Sequence, residues 1–394
     1  MLLDLGRPLD AGPGARVPLP PVDGLDGRSD SLLGILLSHP HCDHWGLVPE
    51  VPQAAPIYMG AAASQILREA AFFGAGPFEV RPAGFLSDRT PFDLGPFRIT
   101  PYAVDHSAFD AYALLVEADG QRLFYTGDFR GHGRKAALFA RLLREPPDSV
   151  DTLLMEGTRV LKAGQDLGAL ATEVDVERDL QAFLEEQPGP VLVAMSAQNI
   201  DRLVSVFRAC RSTDRTLVVD LYAAAVARAT GRATIPQPGF AGYRVWVPQR
   251  QRVLVKEAEE FERVRLGGAR IFPEELTLIR DRSVFLFRPG LAAELARAGV
   301  VEHARLVWSL WPGYLRPPHD ARIRPFLDQH CIAPVVLHCS GHATVADLRR
   351  LVGALRPRRV VPIHTLGRDR YPDLFADVTQ VDLHDDGDWW EVRR

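Results

Sequence analysis

His39, His41, Asp43 and His44 fall within six residues, directly after the apolar run Leu32 to Leu37. Four ligand-type side chains placed so closely at the end of a strand constrain the fold more than any other feature of the chain. In an extended segment His39 and His41 lie two apart and face one side, and the turn that follows brings Asp43 and His44 back to the same spot. Neutral imidazole and carboxylate together suit two divalent ions, zinc or manganese, and a set too small for full closure leaves room for water. The alternative is a polar loop, which so many ligand types at a strand end argue against.

The 394 residues are enough for two domains with cores of their own, and 46% hydrophobic with 24% charged residues describes an ordinary globular chain. No apolar stretch reaches the roughly 18 residues of a membrane span, and the N-terminus lacks a signal-type segment, so a cytoplasmic location without a membrane partner is expected. Cys42, Cys210, Cys331 and Cys339 show no CxxC pairing, in keeping with a reducing compartment. A net charge of -4 excludes indiscriminate coating of nucleic acid but leaves room for a local basic groove. The basic residues are almost all arginine, with lysine only at 135, 162 and 256. Phosphate recognition would explain that preference, and so would a bias of composition, which the abundant Ala, Gly and Pro favour.

Apolar periodicity predicts strands at Met1 to Gly6, Leu32 to Leu37, Phe97 to Tyr102, Tyr112 to Ala118, Arg122 to Tyr125 and Thr152 to Met155, with a helix over Ala61 to Phe73 ended by Gly74. From about Val176 the pattern restarts, with a helix to Glu186, strands near Val191 to Met195, Thr216 to Val219, Val245 to Val247, Val284 to Phe287 and Arg305 to Leu310, and a helix over Ile200 to Cys210. That stretch carries no ligand cluster and reads as an insertion. Ligand-bearing strands return at Val335 to His338 and Val360 to Ile363, and a last strand is expected at Asp388 to Val392. The expected division is 1–175 and 335–394 for one layered α/β domain, interrupted by an α/β insertion over 176–334.

Further candidates stand at strand ends. His106 follows Pro101 to Asp105, and Asp128 closes Phe124-Tyr125-Thr126-Gly127-Asp128, where a carboxylate can bridge two ions about 3.5 to 4 Å apart. Glu156 lies in Met155-Glu156-Gly157-Thr158, His342 in His338-Cys339-Ser340-Gly341-His342-Ala343, and His364 in Val361-Pro362-Ile363-His364-Thr365. For Glu156 alone a surface carboxylate is the competing reading. His303, His319, His330 and His384 lack a ligand-like context, and His132 stays open.

Taken in order, these motifs resemble the metallo-β-lactamase fold and, within it, the β-CASP nucleases. Asp4 matches the first motif, the 39–44 cluster the second, His106 the third and Asp128 the fourth, while Glu156, His342 and His364 match those of the β-CASP branch. The resemblance implies an αββα sandwich interrupted by a β-CASP insertion. It implies one ion on His39, His41, His106 and Asp128 and another on Asp43, His44, Asp128 and His364, with Asp43 and His342 in the reaction and Glu156 orienting His342. His364 is similar to the RNA-processing side of the family, and the His338 to Ala343 loop resembles that of ribonuclease J. By that likeness His338 and Ser340 would meet substrate phosphates, and Ser196 to Arg202 resembles a motif of the same proteins at the start of the insertion, by which Asn199 and Arg202 would do so too; for these two a helix cap and a helix face are the competing reading.

The expectation is thus a two-metal ribonuclease, zinc- or manganese-dependent, acting on single-stranded RNA to leave 5′-phosphate and 3′-hydroxyl ends. The rivals are a DNA nuclease of the same branch, a small-molecule ester hydrolase and an inactive RNA-binding scaffold. Trp311 and Tyr314 are candidates for base stacking, whereas Trp308 sits in an apolar strand pattern. Ribonuclease J proteins usually carry a further C-terminal domain and an earlier β-hairpin, so a homodimer or a partner subunit is expected here as well.

Overall fold

The computed structural model describes residues 1–8, 11, 15–29, 31–52, 55–74, 80–162 and 171–392. The chain forms two compact units: Met1–Arg68, Pro77–Ala169 and Gly341–Arg394 make the first, Glu69–Gly76 and Leu170–Ser340 the second.

The first unit is a sandwich of two sheets. Leu2–Leu3, Ile35–Leu36, Ile57–Gly60 and Gly84–Leu86 pair in that order as four parallel strands. The facing sheet runs Gln380–Val381, Arg359–Pro362, Thr152–Met155, Gln121–Tyr125, Tyr112–Ala118, Phe97–Ala103 and Phe92–Leu94. Its first four strands are parallel and the rest antiparallel. Alternation along each strand assigns residues to layers. Leu36, Ile99, Leu114, Val116 and Tyr125 meet between the sheets. Ile35, Leu37, Ile57 and Met59 turn outward onto Ala63 and Leu67 of the helix Ala61–Phe72. Across the second sheet Leu115, Phe124 and Leu153 pack with Phe139, Leu348, Leu351 and Phe375, which lie on the helices Ala136–Arg144, Val345–Leu355 and Tyr371–Phe375. The αββα layering expected from the sequence is therefore present. At the start of Ala61–Phe72, Asp110 Oδ2 accepts from Ala62 and Ala63 N–H at 2.8 and 3.1 Å, and a Cβ at Gly60 would collide with that carboxylate.

The second unit holds seven parallel strands in the order Arg270–Ile271, Tyr243–Trp246, Thr216–Asp220, Ser283–Phe287, Val191–Ala194, Arg305–Trp308 and Val335–Val336. Val191–Ala194 and Ser283–Phe287 are buried throughout, as strands covered on both faces must be. Its first long helix, Glu173–Glu186, opens on a Thr172/Asp175 capping box three residues before the expected restart.

Three expectations need correction. Only Ile35–Leu36 of Leu32 to Leu37 is regular strand, and Leu2–Leu3 alone pairs in the half-buried N-terminal segment. Asp388 to Val392 is not a strand: the sheet edge is taken by Gln380–Val381, and Trp389 is 86% exposed. The second unit extends to Ser340 and takes in Glu69–Gly76, beside the expected insertion over 176–334.

Candidate metal centre

Every candidate ligand of the first unit stands just beyond a strand of the sandwich. Asp4 N–H bonds the Leu36 carbonyl at 2.9 Å, which sets its side chain beside Ser38. The four-residue helix Cys42–Trp45 turns Asp43 and His44 back toward His39 and His41. Gly127 reaches Asp128 with φ +51°, and a Cβ there would sit 2.8 Å from that of Ser38.

Three groups result, the last two sharing Asp128 and His364: His39, His41 and His106; Asp43, His44, Asp128 and His364; and Asp128, Glu156, His342 and His364. Within the first, His41 Nδ1 is 3.1 Å from His39 Nε2 and 3.2 Å from His106 Nε2. Two nitrogens each about 2.05 Å from one tetrahedral ion would stand about 3.3 Å apart. Asp128 joins the groups: Oδ2 lies 3.2 Å from His44 Nε2 and 3.7 Å from His39 Nε2, and Oδ1 lies 3.4 Å from His364 Nδ1. His364 Nε2 is 3.4 Å from Asp43 Oδ2.

Both carboxylate oxygens of Asp128 and Nε2 of His44 are buried without a hydrogen-bond partner. Buried charge left in that state is costly unless a cation satisfies it. The donor set therefore fits divalent metal, and the surrounding bonds orient it. His106 Nδ1 donates to the Gly341 carbonyl at 2.7 Å, which leaves Nε2 as the donor atom. His44 Nδ1 meets Asp4 Oδ2 at 2.6 Å; Asp4 also accepts from Ser38 N–H, Ser38 Oγ and the Tyr125 hydroxyl. Thr158 Oγ1 is 2.8 Å from His364 Nδ1.

Before any metal charge is counted, burial holds His39 and His106 well below the usual histidine range and takes His41 down to about 4, so all three are neutral donors. Burial alone would raise Asp128, but His44 and His342 hold it well below the usual carboxylate range. Burial would lower His342, and Glu156 followed by Asp128 outweighs it, raising it to about 9. His342 Nδ1 is 3.2 Å from Glu156 Oε2. Glu156 is fully buried, accepting from Phe129 N–H at 2.9 Å and Ala343 N–H at 3.4 Å, so it is no surface carboxylate.

All the metal candidates, with Glu156 and His342, are thus gathered in the first unit. Arg202 and Asn199 are not substrate contacts of the expected kind. Arg202 is fully buried in the second unit, paired with Glu173 at 3.0 Å and donating to the Ser309 carbonyl at 2.8 Å, so its guanidinium is spent within the core. The Asn199 side chain accepts from Arg202 N–H as a helix N-cap. His338 and Ser340 also belong to the second unit, where His338 Nδ1 is 3.4 Å from the Ser309 carbonyl. Cys42 is exposed and joins none of the metal groups among the described residues, and Trp308 is in the core. Sequence reasoning missed Ser38, Tyr125, Thr158 and the Gly341 carbonyl. Tyr125 alone carried a signal, standing at the same strand end as Asp128.

A profile described as a β-lactamase superfamily domain matches residues 9–183, and one described as a Zn-dependent metallo-hydrolase RNA specificity domain matches residues 335–370. Ribonuclease J of Mycobacterium tuberculosis is 24% identical over 89% of this chain and 62% of its own length. Ribonuclease J of Sinorhizobium meliloti is 23% identical over 89% and 61%. The chain thus spans about three fifths of these curated relatives. A crystal structure of a protein of unknown function from Enterococcus faecalis V583 superposes with a TM-score of 0.73 at 21% identity, covering 90% of this chain and 80% of that one.

Proposed function

Because this chain is a ribonuclease J-like protein of metallo-β-lactamase fold, we propose that it is a metal-dependent hydrolase of RNA phosphodiester bonds, leaving 5′-phosphate and 3′-hydroxyl ends. The observation that carries the reading is the unsatisfied, buried Asp128 carboxylate between two groups of imidazoles, with the His342–Glu156 pair beside it. His39, His41, His106 and Asp128 would hold one divalent ion, zinc or manganese, and Asp43, His44, Asp128 and His364 a second. When bound, such ions supply Lewis-acid stabilisation of charge on phosphoryl oxygens and make water a better nucleophile at neutral pH.

The chain's own residues do the rest. Asp4 fixes His44, and the Gly341 carbonyl fixes His106, so that each presents Nε2. Glu156 holds the Nδ1 proton of His342 and leaves the opposite nitrogen to donate a proton to the departing oxygen. An imidazolium held by a buried carboxylate also offsets negative charge as the phosphate is attacked. The RNA specificity profile over residues 335–370 and the names of the curated relatives support RNA as the substrate. With the reading go single-stranded RNA, a cytoplasmic setting and a homodimer or partner subunit. Among the described residues no helix is long and apolar enough to cross a membrane.

The test is cleavage of matched 5′-monophosphorylated RNA and DNA oligonucleotides, labelled at the 3′ end, by zinc- or manganese-loaded protein with Asp128→Ala alongside. RNA-selective cleavage that depends on Asp128 supports the ribonuclease. Equal or better cutting of DNA would move the protein to the DNA branch, and no cutting of either, with metal bound, would turn attention to small-molecule esters.

A further inference from the structure

The second unit carries a surface feature that the metal centre does not use. After the strand Arg305–Trp308, the chain winds through two short 3-10 turns, Pro312–Leu315 and His319–Arg322. Trp311 and Tyr314 are 53% and 40% exposed, and His319 is exposed beside them. The Trp311 and Tyr314 rings meet edge to face with centroids 5.4 Å apart, and the His319 ring lies 6.2 and 6.1 Å from them. Single exposed aromatics are ordinary; a contiguous group of three rings on a wound backbone is not.

The backbone holds this group in place. The Trp308 indole N–H donates to the Trp311 carbonyl at 3.2 Å, and Tyr314 N–H bonds the same carbonyl at 3.1 Å. A Cβ at Gly313 would collide with the six-membered part of the Trp311 indole, so that ring lies across the glycine and only a glycine permits its position. Charge then separates the occupants. Between Trp311 and Arg324 the chain has three arginines and one acid, Asp320, which is buried and pairs with Arg324 at 3.0 Å. Arg316 and Arg322 are exposed and form no ion pair among the described residues. Aromatic faces interleaved with unpaired guanidinium groups suit a strand with stackable bases and a phosphate backbone.

We propose that the segment Trp311–Arg322 is a stacking platform for unpaired bases of single-stranded RNA, with Arg316 and Arg322 on its phosphates. The inference rests on the ribonuclease reading and adds a substrate contact outside the metal centre.

The experiment pairs two substrates for the metal-loaded full chain: an unstructured RNA oligonucleotide, and bis(p-nitrophenyl) phosphate, which is too small to use the platform. Trp311→Ala should raise KM for the RNA about tenfold, the scale of one lost base stack, while kcat and hydrolysis of the small diester stay unchanged. Gly313→Ala, which keeps every ring but displaces Trp311, should act in the same direction, and Trp311→Phe should restore most of the affinity. Fluorescence anisotropy with the same RNA in chelator gives binding without cleavage. There the double variant Arg316→Gln/Arg322→Gln should lower the slope of log affinity against log salt by about 1.4. An unchanged KM in both Trp311→Ala and Gly313→Ala overturns the platform, leaving a proline-rich peptide or another protein as the occupant of these rings. So does a loss shared equally by the small diester, which would report damaged folding. If the wild type binds RNA but cuts only the small diester, the ribonuclease reading falls, and weaker binding by Trp311→Ala still upholds the platform. If the wild type does not bind RNA at all, both fall.

Discussion

Each unit buries a dense polar cluster, and the two clusters differ in what they lack. Around Glu173 and Arg202 the buried groups satisfy one another: Ser205 Oγ donates to Glu173 at 2.8 Å, the Cys339 thiol to the same carboxylate at 3.2 Å, and Arg202 to Glu173 and the Ser309 carbonyl. Around Asp128, two carboxylate oxygens and His44 Nε2 are buried with no hydrogen bond. Satisfied clusters hold a fold together, whereas a cluster with stranded acceptors and inward-facing imidazole nitrogens is complete only with a cation. Burial alone would not separate them, since both Arg202 and His106 are fully buried.

The contrast can be broken first at Asp128. Asp128→Ala should bring RNA cleavage to background and remove bound metal, read by elemental analysis of the purified protein; two ions retained would end the bridging role. His342→Ala should keep its metal and lose roughly 10² to 10⁴ in turnover, the range for a lost general acid, and an unaltered rate would take it out of the mechanism. In the other cluster, Arg202→Met leaves Glu173 buried without its counter-charge and should cost about 3 to 5 kcal/mol in denaturant unfolding. Glu173→Met together with Arg202→Met should recover most of that loss, because the pair is removed as a unit; a double variant no better than the single would show that the pair is not self-contained. The smallest effect is expected at Tyr125→Phe, which takes one of the donors from Asp4 and should weaken zinc binding about tenfold in a competition titration, with the fold unaffected.

What the sequence could reveal follows the same division. The strand Thr152–Met155 has its expected bounds, and Tyr112–Ala118 likewise, because uninterrupted apolar runs between turn residues are local signals. The candidate metal ligands were legible as a set because ligand types at strand ends are rare and crowded, and the structure brings them into groups that could hold an ion. Arg202 was misread because an arginine on a helix looks the same in sequence whether it faces solvent or a buried glutamate 29 residues earlier. Asp4 was legible only through the family motif, and its bond from Tyr125 depends on a strand 121 residues away. The terminal strand failed for a physical reason too: Trp389 and Trp390 look like strand residues, but Trp390 stacks on His384 with centroids 4.8 Å apart instead of pairing.

Glu173 stands where the insertion begins and Cys339 where it ends, 166 residues later, yet their side chains touch. An insertion whose two ends meet behaves as a cassette: it can be acquired, exchanged or deleted without prising apart the strands of its host. One segment from earlier in the chain belongs to the cassette as well: Glu69–Gly76 folds with the second unit, where Arg263 pairs with Glu69 and covers the Phe72 ring at 4.0 Å. A graft of this cassette into another scaffold would therefore have to bring the segment from Glu69 onward with it.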